Sequence, residues 1–462
     1  MTTNVTMIKK KEKKMKENAD VLVIGGSAAG LVAAMTAKSN YKDKKVVIIR
    51  KEEKVMIPCG IPYIFGTLES SDSNVLPDGG LLKLGVEIKV DTVTEINTDE
   101  KSCKTESGLE IGYDKLVIAT GSQPTKPRWL KGRDLENVFT IPKDKVYLDG
   151  LVDRLAGFKK VAVIGAGFIG VEVSDELNKR GLSVSLIEKE PHILALAFDP
   201  DIAIEAETML KDRGVDVLAD VAIKEIQGKS KVSSILLSDG RVIETDAVVL
   251  SMGYLPNVQL AKDSGIQINA LGFIGVDEYL RTNVKDVFAA GDCAEKRDFA
   301  TSKLSKTMLA STACAEARVA GLNLFKISTV RKFKGTIGIY STCIGDTAFG
   351  VAGLTEEAAL KEGFNIITGK FTGMDRHPGK LNNPHKQSVK LVVSKECGRI
   401  LGGSVLGGVS AGELTNVLGF LIQGGMSISD MLVAQIGTQP MLTASPAAYP
   451  LIKAAEAAAK NL

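Results

Sequence analysis

Val161-Ala162-Val163-Ile164 runs directly into Gly165-Ala166-Gly167-Phe168-Ile169-Gly170, and Val184-Ser185-Leu186-Ile187 follows as a second apolar run one helix length later. This is a G-x-G-x-x-G spacing set between a strand and a helix. The first glycine permits a tight turn, the second lets backbone approach a pyrophosphate, and the third lets the helix pack on the strand. The helix N-terminus then faces the phosphates. One such motif is weak evidence, because glycines also mark ordinary turns. A second copy lies upstream: Asp20-Val21-Leu22-Val23-Ile24 leads into Gly25-Gly26-Ser27-Ala28-Ala29-Gly30, a helix is expected to end near Asn40, and Val46-Val47-Ile48-Ile49 returns. The repeat predicts an α/β chain with two Rossmann-like dinucleotide-binding units.

The units differ in the residue that ends their second strand. In the later unit Glu188 stands near the spacing expected of a ribose-binding acid. A carboxylate there accepts hydrogen bonds from both ribose hydroxyls and repels a 2′-phosphate, so NADH is favoured over NADPH, a preference that Lys189 softens. In the earlier unit Ser27 replaces the second glycine and Arg50 replaces the acid, with Lys51 beside it. An arginine there can stack on an adenine or meet a phosphate.

Composition sets the outer limits. At roughly 150 residues per domain, 462 residues predict about three domains. With 58 basic against 55 acidic residues there is no overall basic field for nucleic acid. Six cysteines without paired spacing and three scattered histidines argue against a metal site. So low a cysteine density suits a reducing, cytoplasmic setting rather than a disulfide scaffold. No apolar stretch reads as a membrane span. The early lysines Lys9 to Lys16 read as a solvated arm without a following apolar signal region. The expected division is a basic disordered arm over 1–18, a first dinucleotide-binding domain over 19–127 and 259–325, an inserted second one over 128–258, and an α+β domain over 326–462. The helix expected from about Gly412 to Gly424 is apolar on several faces and suits an interface, although a core helix has the same pattern.

Further segments carry a family resemblance. Tyr113 to Ile118 runs into Ala119-Thr120-Gly121, and Thr282 precedes Phe288-Ala289-Ala290-Gly291-Asp292. With the two glycine loops these make the chain similar to the pyridine nucleotide-disulfide oxidoreductases from Ala19 onward. The resemblance implies FAD in the first unit, NADH in the second and a C-terminal dimerisation domain giving a homodimer. It implies that Asp292 meets the FAD ribityl chain and that Glu172 lies near the nicotinamide; taken alone, Glu172 reads as an exposed helix carboxylate. Gly253, in the turn after Ala247-Val248-Val249-Leu250, completes the expected cofactor-binding set.

Sulfur selects the branch. Dithiol members of the family carry two cysteines four residues apart, whereas Ile57-Pro58-Cys59-Gly60-Ile61-Pro62-Tyr63 holds one. The chain thus resembles the single-cysteine branch of coenzyme A-disulfide reductases, persulfide and polysulfide reductases and NADH oxidases. Cys59, just before a helix that opens around Pro62, is the expected redox-active residue, its thiol pKa lowered by the helix dipole. The other five cysteines read as structural. The resemblance also marks two absences: Ala28 and Gln439 occupy places where relatives keep a histidine, and glutamine cannot take a proton at neutral pH. The expected activity is therefore FAD-dependent, NADH-driven reduction of an S–S bond in coenzyme A disulfide or persulfide, polysulfide or sulfur. A peroxide-forming NADH oxidase and a flavin redox sensor are the alternatives. Lys38, Lys42, Arg50 and Arg376 are candidate contacts for coenzyme A, each equally explained by a solvated surface, and Tyr449 is a candidate to reach the partner's site.

Overall fold

The computed structural model describes residues 16–328, 330–381 and 384–462. Its first sheet has Glu87–Val90, Val46–Arg50, Lys16–Ile24 and Glu110–Ile118 side by side. Val287–Ala289 joins the last of these in parallel, and the antiparallel strands Ser102–Thr105 and Val93–Asn97 extend the edge. Val21 to Ile24 pair with Val46 to Ile49 on one side and Lys115 to Ile118 on the other. Being central, the strand is buried on both faces from Val21 to Ile24, which is why that stretch reads as an uninterrupted apolar run. It begins at Lys16, so the last residues of the expected arm belong to the sheet. The lysines before it lie outside the described residues.

The second unit repeats this plan in a parallel sheet ordered Asp216–Leu218, Ser183–Ile187, Lys160–Ile164, Ala247–Leu250 and Val138–Thr140. The chain enters it through Ser122–Pro124 and leaves through Tyr254–Pro256, two strands that pair antiparallel. Thr120 Oγ1 donates to Asn257 O (2.6 Å) and Asn257 Nδ2 donates to Thr120 O (3.0 Å), closing the crossing.

The C-terminal sheet is antiparallel, ordered Ile339–Ile344, Thr347–Gly353, Ile400–Gly407, Lys386–Ser394 and Ile366–Met374. The helix expected from Gly412 spans Ser410–Gln423. It buries Leu414, Leu418 and Ile422 against this sheet and leaves Phe420 72% exposed on its other side. Four rings join this sheet to the second unit: Tyr340 stacks on Phe168 (5.0 Å, 9°), Phe168 meets Phe198, and Phe198 meets Phe349. Such pairs add of order 1 kcal/mol each beyond their buried area. Among the described residues no helix is long and apolar enough to cross a membrane.

Candidate active site

The two glycine loops share their backbone geometry. Gly25 and Gly165 are left-handed, at φ +106° and +98°. A β-carbon on Gly30 would sit 1.8 Å from Gly25 O, and one on Gly170 1.8 Å from Gly165 O. Gly25 lies under Ala119 as Gly165 lies under Ser251, so Ala119-Thr120-Gly121 and Ser251-Met252-Gly253 are equivalent, each ending in a left-handed glycine. The helices Ala28–Asn40 and Phe168–Lys179 start at Ser27 and Gly167 with no side-chain cap and no acid in the first turn. A β-carbon on Gly167 would meet nothing within 4 Å. Bare N–H groups at an uncapped helix start fit a dinucleotide pyrophosphate in both units, and in the later one glycine also leaves the backbone beside them open.

Around the later loop, Glu188 Oε2 accepts from Ala166 N (2.6 Å) and its Oε1 from Glu190 N (3.0 Å), so the carboxylate is fixed where the strand ends. Lys189 turns to Glu190 (3.0 Å). Phe168 and Ile169 are partly buried and pack against the core, which leaves their part in binding to the backbone at the helix start.

In the earlier unit Arg50 is buried rather than free. Its guanidinium is held by Asp78 through two bonds of 2.6 Å and donates to Glu53 O, with Nε unpaired. Its stem lies under the loop, where a β-carbon on Gly26 would fall 2.5 Å from Cδ. The fork expected for a phosphate or coenzyme A is thus engaged within the protein, whereas Lys51 is exposed.

Cys59 lies within the first turn of a 3-10 helix, Pro58–Phe65, with Pro58 at its start and Pro62 inside it. This corrects the expectation of a helix opening after the cysteine. The expected lowering of its pKa is corrected too: desolvation, and then the charge of Glu172, push the thiol up, against an opposing effect of Lys143. Whatever dipole the 3-10 helix offers is outweighed by the desolvation of the thiol. The residue is nonetheless exposed, and all six cysteines are free. Cys103 and Cys293 are buried as expected of structural cysteines, but Cys343 and Cys397 are exposed.

Glu176 ties the cysteine segment to the second unit. Its carboxylate accepts from Thr67 N, from Thr67 Oγ1 (2.9 Å) and from Lys179 Nζ (2.5 Å). One helical turn earlier, Glu172 accepts from Thr342 Oγ1 of the C-terminal sheet (2.8 Å). Burial pushes its carboxyl up to about 7, so it is not the exposed carboxylate that the sequence alone suggests. Asp292 accepts from Ser122 Oγ (2.7 Å) and Lys143 Nζ (2.8 Å). Burial opposes ionisation there, but the Lys143 charge and these bonds hold the carboxyl below its ordinary range. Lys143 and Thr342 had no motif to announce them; a lone lysine or threonine on a strand or loop carries no such signal.

The candidate coenzyme A contacts do not converge. Lys38 donates to Lys42 O (3.0 Å) and Lys44 O (2.7 Å) and so closes its own helix, while Lys42 is exposed. Arg376 bonds Asp375 O (2.8 Å) and pairs with the Asp375 carboxylate. Tyr449 is half-buried against the C-terminal core. Gln439 is exposed, and its Oε1 accepts from Met441 N (2.7 Å) in its own turn.

Two glycine loops of the same build in tandem, a carboxylate fixed at the strand end of the second and a cysteine between them fit an NAD(P)H-dependent flavin oxidoreductase. The chain belongs to the pyridine nucleotide-disulphide oxidoreductase family, which matches residues 19–317, with that family's dimerisation domain matching 339–448. Its cofactors are FAD and NAD(P)H. It is 31% identical to an NADH oxidase of Methanocaldococcus jannaschii over 96% of this chain and 99% of that one. It is also 31% identical to an NAD(P)H coenzyme A polysulfide/persulfide reductase of Pyrococcus horikoshii, over 84% of this chain and 87% of that one. Among solved structures, an NAD-dependent persulfide reductase from A. fulgidus superposes with TM-score 0.88 at 29% identity, over 96% of this chain and 83% of that one. A water-forming NADH oxidase of Lactobacillus brevis bound to NADH gives 0.86 at 26%, over 96% and 98%.

Proposed function

We propose that this enzyme uses NADH to reduce S–S bonds of coenzyme A persulfide or disulfide, polysulfide or sulfur, with Cys59 as the reacting residue. The supporting observation is that Cys59 is exposed and feels the charges of Glu172, Lys143 and Asp292, and that Ala28 leaves the first loop without a histidine. FAD held over Gly25 to Gly30, Ala119 to Gly121 and Asp292, and NADH held over Gly165 to Gly170, Glu188 and Gly253, supply an electron pair when bound.

The chain's own part is sulfur exchange. The Cys59 thiolate attacks one sulfur of the substrate; the Cys59–S bond forms, the S–S bond breaks, and the distal sulfur leaves with the electron pair as a thiolate or hydrosulfide. A mixed disulfide or persulfide remains on Cys59 until two electrons break its S–S bond, restoring the Cys59 thiolate and releasing the bound sulfur as a second thiolate or hydrosulfide. A leaving group of low pKa needs no acid, consistent with a glutamine at 439. Lys143 is the cation that favours the ionised thiol.

A second reading, NADH oxidation by oxygen, is supported by the similarity to the M. jannaschii protein over nearly full length. Cys59→Ser separates the two. Retained FAD and dye reduction with lost persulfide and disulfide turnover supports the sulfur reading, whereas unchanged sulfur rates overturn it. The apolar surface of Val409, Phe420 and Leu442 supports a homodimer, and the reducing chemistry suits a cytoplasmic setting.

A further inference from the structure

Lys296 and Glu316 have fully buried side chains, and sulfur exchange at Cys59 uses neither. Both grip one residue. Glu316 Oε2 accepts the Gly291 N–H (2.8 Å), while Lys296 Nζ donates to Gly291 O (2.6 Å) and to Ala294 O (2.9 Å). The ammonium stands 3.6 Å from Glu316 Oε1, which accepts no hydrogen bond among the described residues, and 5.8 Å from the centre of the Phe273 ring.

Gly291 itself is tightly set. It is left-handed (φ +84°), and a β-carbon there would fall 2.7 Å from Cβ of Ala29, in the first turn of the FAD-unit helix, and 3.6 Å from Cβ of Ala313 on the helix Ala310–Asn323 that carries Glu316. The next residue is Asp292. The loop is thus wedged between two helices, the N–H of one glycine held by a carboxyl that burial pushes up to about 7 against the pull of Lys296, and its C=O held by that ammonium.

Stability alone does not explain this arrangement. Burying an ammonium and a carboxyl is costly, and apolar side chains of similar volume often do as well or better. The pair is accounted for by what it orients. We propose that the Lys296–Glu316 ion pair is a positioning device for the flavin: it pins both polar groups of Gly291, and so sets the backbone from which Asp292 presents its carboxylate to FAD. This rests on the reading of Asp292 as a flavin-contacting acid.

The test is FAD release from the purified holoenzyme, followed by the recovery of flavin fluorescence on dilution, for Glu316→Gln, Lys296→Met, Asp292→Asn and the combination Glu316→Gln with Asp292→Asn. Circular dichroism monitors folding. Each single change at 316 or 296 is expected to weaken FAD binding at least about tenfold, the scale of losing one charged partner in a buried network. In the Asp292→Asn background Glu316→Gln should add little, because the pair acts through Asp292, whereas a general packing role gives the same loss in both backgrounds. Equal losses in both backgrounds, or unchanged affinity in the Glu316 and Lys296 variants beside a weakened Asp292→Asn, overturn the proposal alone. Unchanged affinity in Asp292→Asn overturns the Asp292 reading, and the route through it. Should the single variants not fold, Lys296→Met with Glu316→Leu removes both charges together and is expected to fold with weakened FAD binding; wild-type affinity in that protein overturns the proposal.

Discussion

Thr342 Oγ1 donates a 2.8 Å hydrogen bond to Glu172 Oε1, joining a strand of the C-terminal sheet to the helix that opens the second glycine loop, across 170 residues of sequence. Burial pushes the Glu172 carboxyl up to about 7; the Thr342 bond favours the ionised form, and the neighbouring Glu176 disfavours it. Removing the donor therefore raises the pKa further. In Thr342→Val, the pH midpoint of NADH-dependent dye reduction linked to Glu172 is expected to move upward. An unmoved midpoint would show that the carboxyl does not govern that step.

The same carboxyl predicts a stability difference. In the unfolded chain Glu172 loses its proton near 4.5, whereas in the folded protein it holds it to about 7. Between those values the folded state binds more protons, so this group makes stability fall as pH rises, by up to ~1.4 kcal/mol per pH unit. Below the window it contributes no slope, and above it the loss is complete. Thermal melts of Glu172→Gln should decline less than wild type between pH 4.5 and 7, and parallel curves would count against a buried, proton-holding Glu172.

Lys143 faces two acidic groups. It bonds Asp292 at 2.8 Å and lowers the pKa of both Asp292 and Cys59. Lys143→Met is expected to raise the midpoint of Cys59 alkylation by iodoacetamide by about one pH unit, the usual scale for losing a nearby opposite charge. Lys143→Arg should restore most of it. A midpoint that ignores the charge at 143 would leave the thiolate without its cation.

Glu188 holds its place through the N–H groups of Ala166 and Glu190. Glu188→Ala removes both bonds and the charge that repels a 2′-phosphate. The ratio of kcat/KM for NADH to that for NADPH should fall about tenfold or more, the scale of losing hydrogen bonds to a charged group. A constant ratio would show that nucleotide choice is made elsewhere.

Phe420 is 72% exposed on the outer side of a helix whose inner face fills the C-terminal core, and Val409 just before that helix is also exposed. Phe420→Asp should shift sedimentation from dimer to monomer while leaving the fold intact by circular dichroism. A dimer that survives the charge would place the interface on another face.

What the sequence determined by itself is what short-range geometry enforces. Gly25 meets Gly30, and Gly165 meets Gly170, within one turn and five residues, so sterics alone demand glycine there and the two units were legible from their spacing. Cys59 was singled out differently, by resemblance to the single-cysteine branch, as the one sulfur in a short Pro-bounded segment. The tertiary structure alone decided the electrical setting. Lys143 and Asp292 are 149 residues apart, and Glu172 and Thr342 are 170 apart. Lys296 and Glu316 join across a helix start and a loop whose approach no local pattern records. Burial also reversed the expected direction of the Cys59 pKa and engaged Arg50 with Asp78. Local sterics depend on neighbours in the chain, whereas desolvation and charge depend on everything that packs nearby, which only the folded chain brings together.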